Sequence, residues 1–138
     1  MSETRMRTIP YWIQRADFTA TEHAPIESVR AVELVRTHDW SSESRLFRER
    51  EAAGLETCSP GVGFIAAPGV ILHVCPGDNG QALVHYQFME RRRWLGLISY
   101  NEEVVRTNSA VESSQIPEFV RRFYEDDHAW LVNRTAAG

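Results

Sequence analysis

The chain has 138 residues, a net charge of −4 at pH 7 and a hydrophobic fraction of 43%. These values are typical of one globular domain, so we predict a single domain over residues 1–138, with residues 1–7 as a frayed tail. The acidic balance disfavours a nucleic-acid partner, because phosphate binding normally needs a basic surface. All 15 basic residues are arginine. The lack of lysine excludes P-loop nucleotide binding, Schiff-base catalysis and kinase catalysis, which depend on a lysine amine.

The sequence shows neither a membrane span nor a secretion signal. No apolar run approaches the roughly 18 residues that a membrane helix needs, and residues 1–10 lack the apolar centre of a signal peptide. We therefore expect a cytoplasmic protein with no membrane partner. Cys58 and Cys75 form no CxxC motif, and we expect two buried free thiols rather than a disulfide.

The first predicted element is a short strand near the N-terminus. Ile9, Tyr11 and Ile13 recur at every second position, which is the period of a strand. Pro10 would confine this strand to a sheet edge or lie at the strand's beginning.

Two helices are predicted next. Pro25 suits the first turn of a helix, and apolar residues recur every three positions from there to Val35. A second helix should begin near Ser41 or Ser42, whose hydroxyls suit an N-cap. It should end before Gly54, because glycine suits the position that follows a helix.

Four β-rich runs then alternate with turn signals. The runs cover residues 62–67, 70–75, 82–89 and 94–100, and the turns are Pro68-Gly69, Asp78-Asn79-Gly80 and Arg91-Arg92-Arg93. Residues 101–113 are ambiguous, because their valines would also fit a further edge strand. A closing helix begins near Pro117. The order predicts an α+β fold, an antiparallel β-meander of about four to five strands packed with two N-terminal helices and one C-terminal helix.

The hairpin turns predict which strand residues face each other. If Asn79-Gly80 forms the centre of a two-residue turn, Tyr86 pairs with His73. The same count from Pro68-Gly69 pairs Phe64 with His73. Directly opposed residues share a face of the sheet, so the sequence predicts an inward-facing row Phe64–His73–Tyr86.

This row is the first candidate site. A ligand pocket there would use His73, Cys75, Tyr86 and Phe64. His85 is expected on the opposite face, so it could not share a metal ion with His73. A histidine beside a thiol lacks the four ligands of a structural zinc site, so we expect no metal and no cofactor. The alternative is a closed core in which the His73 ring is hydrogen-bonded, since aromatic rows are ordinary core packing.

The second candidate site is the run Arg91, Arg92, Arg93 and Trp94 at a predicted hairpin end. Arginine makes bidentate contacts with carboxylates and phosphates, so this run could bind a partner. The alternative is a solvated turn with no binding role.

The sequence contains no signature of a serine hydrolase, a cysteine protease or a zinc protease. We therefore hypothesise a non-catalytic interaction or regulatory domain, of the partner-binding or immunity type, and leave catalytic activity open. Its expected partner is a protein or a second copy of itself, because both predicted sheet faces are mainly apolar. The alternative hypothesis is a small-ligand or metal-binding protein, or an enzyme, that uses the pocket around His73, Cys75 and Tyr86.

Overall fold

The structure, a computed structural model, describes residues 7–77 and 80–137. Residues 1–6 of the predicted tail and the Asp78-Asn79 part of the predicted turn lie outside the described residues. The elements in chain order are β1 (Thr8–Gln14), β2 (Ala20–Glu27), α1 (Ser28–Thr37), α2 (Trp40–Ala52), β3 (Gly61–Ala67), β4 (Val70–Pro76), β5 (Gln81–Trp94), β6 (Ile98–Glu112), α3 (Ile116–Tyr124), α4 (His128–Asn133) and β7 (Ala136–Ala137). They confirm an α+β fold with an antiparallel sheet.

Seven strands form one antiparallel sheet in the order β2-β1-β3-β4-β5-β6-β7. This is more than the four to five strands that the sequence predicts, because β2 and β7 carry no clear sequence signal. Two helices follow β6 instead of the one predicted. Asp126, whose φ is 58°, separates them, and the Asp127 side chain caps α4. None of the helices within the described ranges is long and apolar enough to cross a membrane.

Two prolines explain where the N-terminal prediction fails. Pro25 lies in β2 instead of opening a helix, and α1 begins at Ser28. β2 is the outermost strand on its side of the sheet, where sheets tolerate a residue without an N–H. Pro10 lies at a register shift between Ile9 and Tyr11, where β2 has the extra residue, so Pro10 faces a bulge in β2.

The boundaries of α2 are close to those predicted. Asp39, rather than Ser41 or Ser42, is the N-cap, because its side chain accepts a hydrogen bond from the Ser42 N–H at 3.0 Å. Gly54 follows the end of the helix with a φ of 73°, which confirms the predicted stop.

The pairing of β3 with β4 departs from the predicted register by one residue. Ala67 pairs with Val70, as the turn count predicts, but a bulge follows this pair. Beyond the bulge, Phe64 faces Leu72 instead of His73. One extra residue in a strand moves every later side chain to the opposite face relative to its predicted partner.

The turn between β4 and β5 produces a second shift of one residue. The Gly77 N–H donates to the Gln81 carbonyl at 2.9 Å, and Gly80 has a φ of 77°. The loop therefore holds three residues and ends in a left-handed glycine, whereas the prediction assumed a two-residue turn. As a result Tyr86 pairs with Leu72, and the predicted pairing of Tyr86 with His73 is wrong.

The core lies on the face of the sheet that helices cover, which we call the covered face. Its central row, Phe64, Leu72 and Tyr86, is almost completely buried. Helix α3 adds Phe119, Val120, Phe123 and Tyr124. The Tyr124 hydroxyl donates to the Ile26 carbonyl at 2.8 Å, which fastens α3 to β2. The opposite face carries His73 and His85, which are partly exposed, and we call it the open face.

Leu72→Ala should lower the free energy of unfolding by about 2–5 kcal/mol, because Leu72 is fully buried in the core. Ile71→Ala, one position away on the open face, should have less than half this effect, because Ile71 is only half-buried. Urea unfolding of both variants measures the difference. A larger loss for the Ile71 variant would place Ile71 in the core and support the register predicted from the turns.

Candidate functional site

The structure does not bring the four predicted ligand-binding residues together. Phe64 and Tyr86 lie on the covered face and are 0% and 3% exposed. His73 and Cys75 lie on the open face, where His73 pairs directly with His85. The row Phe64–His73–Tyr86 therefore does not exist, and the expectation that His73 and His85 lie on opposite faces is wrong. The physical cause is the pair of register shifts that the bulge in β3 and the three-residue turn introduce.

Tyr86 has a partner that the sequence does not predict. Its hydroxyl lies 2.8 Å from Nδ1 of His128, the first residue of α4. Burial raises the pKa of Tyr86 to about 12, and the nearby Asp126 carboxylate adds to this increase. Phe88 contacts the same histidine ring, at 4.6 Å between ring centroids. This pair satisfies a buried hydroxyl at the edge of the core.

A continuous row of side chains crosses the open face instead. The pairing places Trp12, Gly63, His73, His85 and Thr107 in one line across five neighbouring strands, β1, β3, β4, β5 and β6. We call this line the histidine row. Its members are far apart in the sequence, and only the observed register aligns them.

The histidine row is held by stacking and by one hydrogen bond. The Trp12 indole lies over Gly63, where any Cβ would collide with the indole ring. It stacks on His73 at 5.3 Å between centroids, and His73 stacks on His85 at 6.1 Å. The His85 Nδ1 lies 2.9 Å from the Thr107 hydroxyl. The glycine thus makes room for an indole that begins a stack of three rings.

Burial keeps the histidine row uncharged near neutral pH. It lowers the pKa of His73 to about 4, and the adjacent His85 adds to this decrease. Burial also lowers the pKa of His85. Cys75, whose sulfur lies 3.4 Å from Nδ1 of His73, has its pKa raised to about 12 by burial. Because a protonated thiol is a poor nucleophile, Cys75 is not set up for covalent chemistry.

A shallow cleft of about 360 Å³ lies over this row, and its wall consists of Trp12, Ile71, His73, His85, Gln87 and Val105. Within residues 7–77 and 80–137, no group of three or more His, Cys, Asp or Glu side chains is arranged to hold a metal ion. Cys58 does not join His73, since its thiol donates to the Arg15 carbonyl at 3.1 Å. The cleft offers flat aromatic surfaces and neutral ring nitrogens.

The predicted partner-binding run lies inside a long hairpin. Arg91, Arg92, Arg93 and Trp94 belong to β5, so the prediction that the arginines form a turn is wrong. The turn is Leu95-Gly96-Leu97, so the predicted strand run 94–100 is interrupted, and residues 101–112 continue β6.

This hairpin extends beyond the rest of the sheet. β4 pairs with β5 only as far as Gln87, and β7 pairs with β6 only at Arg106 and Thr107. Among the strands of the described residues, Glu90–Glu102 therefore pair with each other alone, and we call them the arm. Five residues of each strand project by about 17 Å.

The tip of the arm is apolar and exposed. The exposed fractions are 58% for Trp94, 73% for Leu95, 84% for Leu97 and 57% for Ile98. Leu95 also has a φ of 52°, a left-handed conformation that disfavours bulky residues. Gly96, with a φ of 68°, completes a turn whose first residue is normally asparagine, aspartate or glycine.

No protein family, no curated protein and no solved structure matches this chain. The two candidate sites, the histidine row and the arm, therefore rest on their own geometry.

The folded state should become less stable as the pH falls from neutral towards 4, partly because of His73. Its pKa is lowered from 6.5 to about 4 in the folded protein, so the unfolded chain binds the proton more readily between these values. The contribution of His73 to the free energy of unfolding is complete above 6.5, the pKa of this side chain in the unfolded chain. At about pH 4.5 this contribution is smaller by roughly 2 kcal/mol.

The His73→Phe variant keeps a ring in the stack but cannot titrate. Urea unfolding at neutral pH and at about pH 4.5 should therefore show a smaller loss of stability in the variant than in the wild type. Equal losses would mean that His73 is solvated and that the histidine row does not bury it.

Proposed function

We propose that this protein is a non-catalytic interaction domain and that the arm is its binding element. The observation that supports this most is the tip, where four large apolar side chains are each more than half exposed. Contiguous exposed apolar residues are uncommon on isolated monomers and often form binding surfaces. The adjacent arginines would add bidentate contacts with carboxylates or phosphates. The sequence hypothesis of a partner-binding domain, with Arg91, Arg92, Arg93 and Trp94 in its interface, is retained in this form.

Leu95 supports the proposal because a leucine at this position does not stabilise the unbound protein. A bulky residue in the left-handed region costs about 1–2 kcal/mol, and Leu95 is 73% exposed in addition. Asparagine would avoid both penalties and would form the Asn-Gly turn that hairpins prefer. A leucine at this position is explained by a partner that buries it.

Leu95→Asn should therefore stabilise the fold and weaken binding at the same time. We expect the free energy of unfolding in urea to rise by about 1 kcal/mol, since the strained leucine is replaced by the preferred turn residue. Immobilised variant and wild-type protein, exposed to native-host extract and to untagged copies of the chain, should differ in what they retain. The wild type should capture a partner that the variant loses.

Val29→Ser is the matched control, because Val29 is 79% exposed but lies in α1 and outside the arm. Its capture should equal that of the wild type. If Leu95→Asn captures the same partners as the wild type, the arm is not the binding element. If both variants lose the same material, the retained protein was held by general hydrophobic adsorption.

The cleft over the histidine row supports a second candidate function, the binding of a small planar ligand. This proposal keeps only His73 from the predicted pocket, because Trp12 and His85 line the cleft and Cys75, Tyr86 and Phe64 do not. Indole titrated into the labelled protein should shift NMR signals of the Trp12 and His85 rings, because both side chains line the cleft. His85→Val should reduce the shifts, whereas unchanged shifts in this variant would place indole elsewhere.

A further inference from the structure

The two faces of the arm differ in chemistry. Residues that pair directly across the arm share a face. On the face that continues the covered side of the sheet, the pairs from root to tip are Phe88 with Val104, Glu90 with Glu102, Arg92 with Tyr100, and Trp94 with Ile98. We call this the layered face. The other face of the arm carries Arg91, Arg93, Ser99 and Asn101.

The layers of one arm, taken from root to tip, are complementary to the layers of a second arm taken from tip to root. From root to tip the layers are apolar, acidic, basic-aromatic and apolar. A second arm laid antiparallel would set apolar against apolar and acidic against basic. Both subunits of a two-fold dimer present the same patch to each other, so a two-fold interface needs this property. Successive layers are about 7 Å apart, and a two-fold axis between Glu90 and Arg92 would align all four.

Within residues 7–77 and 80–137, Arg92 is the one cation within salt-bridge distance of the acidic layer. Glu90 and Glu102 are directly opposite each other, an arrangement in which like charges destabilise a sheet. Arg92 contacts both carboxylates: its Nη2 is 2.7 Å from Glu90 Oε1, and its Nε is 3.8 Å from Glu102 Oε2. In the antiparallel arrangement, the Arg92 of a second copy would reach the same carboxylates. Each acidic pair would then be shared by two arginines.

The part of the layered face nearest the sheet, Phe88 and Val104, is apolar and could pack against the apolar tip of a second arm. Phe88 is nearly buried beneath the His128 ring, and Val104 beside it is half-buried. Together they form an apolar corner where the arm leaves the helices. Trp94 and Ile98 of a second arm would lie against this corner and become buried there.

We infer that the arm binds a second copy of this chain, layered face against layered face, in an antiparallel two-fold dimer. This inference rests on the proposed function, in which the arm is the binding element, and it names the partner. Pairing along the free edges of β5 is the less favourable way to join two arms. It would place Arg91, Arg92 and Arg93 of both copies side by side, and like charges in adjacent strands repel.

Charge reversal tests this arrangement by sedimentation velocity over a wide dilution series. Arg92→Glu makes the layered face wholly acidic, and the double variant Glu90→Arg with Glu102→Arg makes it wholly basic. The wild type should form a dimer that dissociates on dilution. Each variant alone should dimerise at least roughly tenfold more weakly, whereas an equimolar mixture of the two should recover the dimer. Arg45→Glu, an exposed reversal on α2 outside the arm, should behave as the wild type.

Three results would overturn the inference: a monomeric wild type at every concentration, charge variants that still form homodimers, or a mixture that stays monomeric. Thermal unfolding of each variant confirms that the fold is intact. The capture experiment on Leu95→Asn decides the proposed function separately. If the arm retains a different protein, or binds vesicles of an anionic lipid, while the chain sediments as a monomer, the arm is the binding element and the dimer is wrong.

Discussion

The register of the three central strands is the constraint on which both sides of the molecule depend. The bulge between Ile65 and Ala67 and the three-residue loop before Gln81 each shift the pairing by one position. Since side chains alternate between the faces of a strand, these two shifts decide that Leu72 is buried and that His73 is on the open face. The core row and the histidine row are therefore two consequences of one alignment, and neither could exist without the other.

The same alignment fixes the chemistry of the arm. β5 is continuous from the core to the tip, so its alternation carries the covered face outward through Tyr86 and Phe88 to Arg92 and Trp94. Within the sheet this face is packed by helices, but beyond Phe88 it leaves them and becomes exposed. A two-stranded ribbon is at best marginally stable alone in water. The arm is stable because its strands are extensions of a sheet anchored in the core.

The sequence predicted what depends on local patterns. The α+β class, the strand runs at residues 62–67, 70–75 and 82–89, the stop of α2 at Gly54 and the closing helix near Pro117 all follow from periodicity and from turn or cap residues. The predicted strand run 94–100 is wrong, because it contains the turn of the arm. It could not predict the bulge beside Ala67, because no residue there signals one. It gave the wrong role to Pro25, since proline suits both a first helical turn and an edge strand. The histidine row was missed because its five residues meet only through long-range pairing.

The arginine run does not form the predicted turn, but it lies in the arm, next to the exposed apolar tip. Three charged residues suggested a turn, yet the turn lies at Leu95-Gly96, where a leucine adopts a conformation that favours glycine or asparagine. Hairpin prediction from composition fails there because the residue at the turn does not favour it. A residue that disfavours its own backbone conformation, as Leu95 does, is expected where function rather than folding determines the choice of residue. The histidine row breaks no such rule: its glycine, stacked rings and hydrogen bond all support one another. Strain and exposure also coincide at Phe18, whose φ is 70° and whose exposed fraction is 54%, but at the tip the strained Leu95 lies beside three further exposed apolar side chains. This grouping is the physical reason to assign binding to the arm before the cleft.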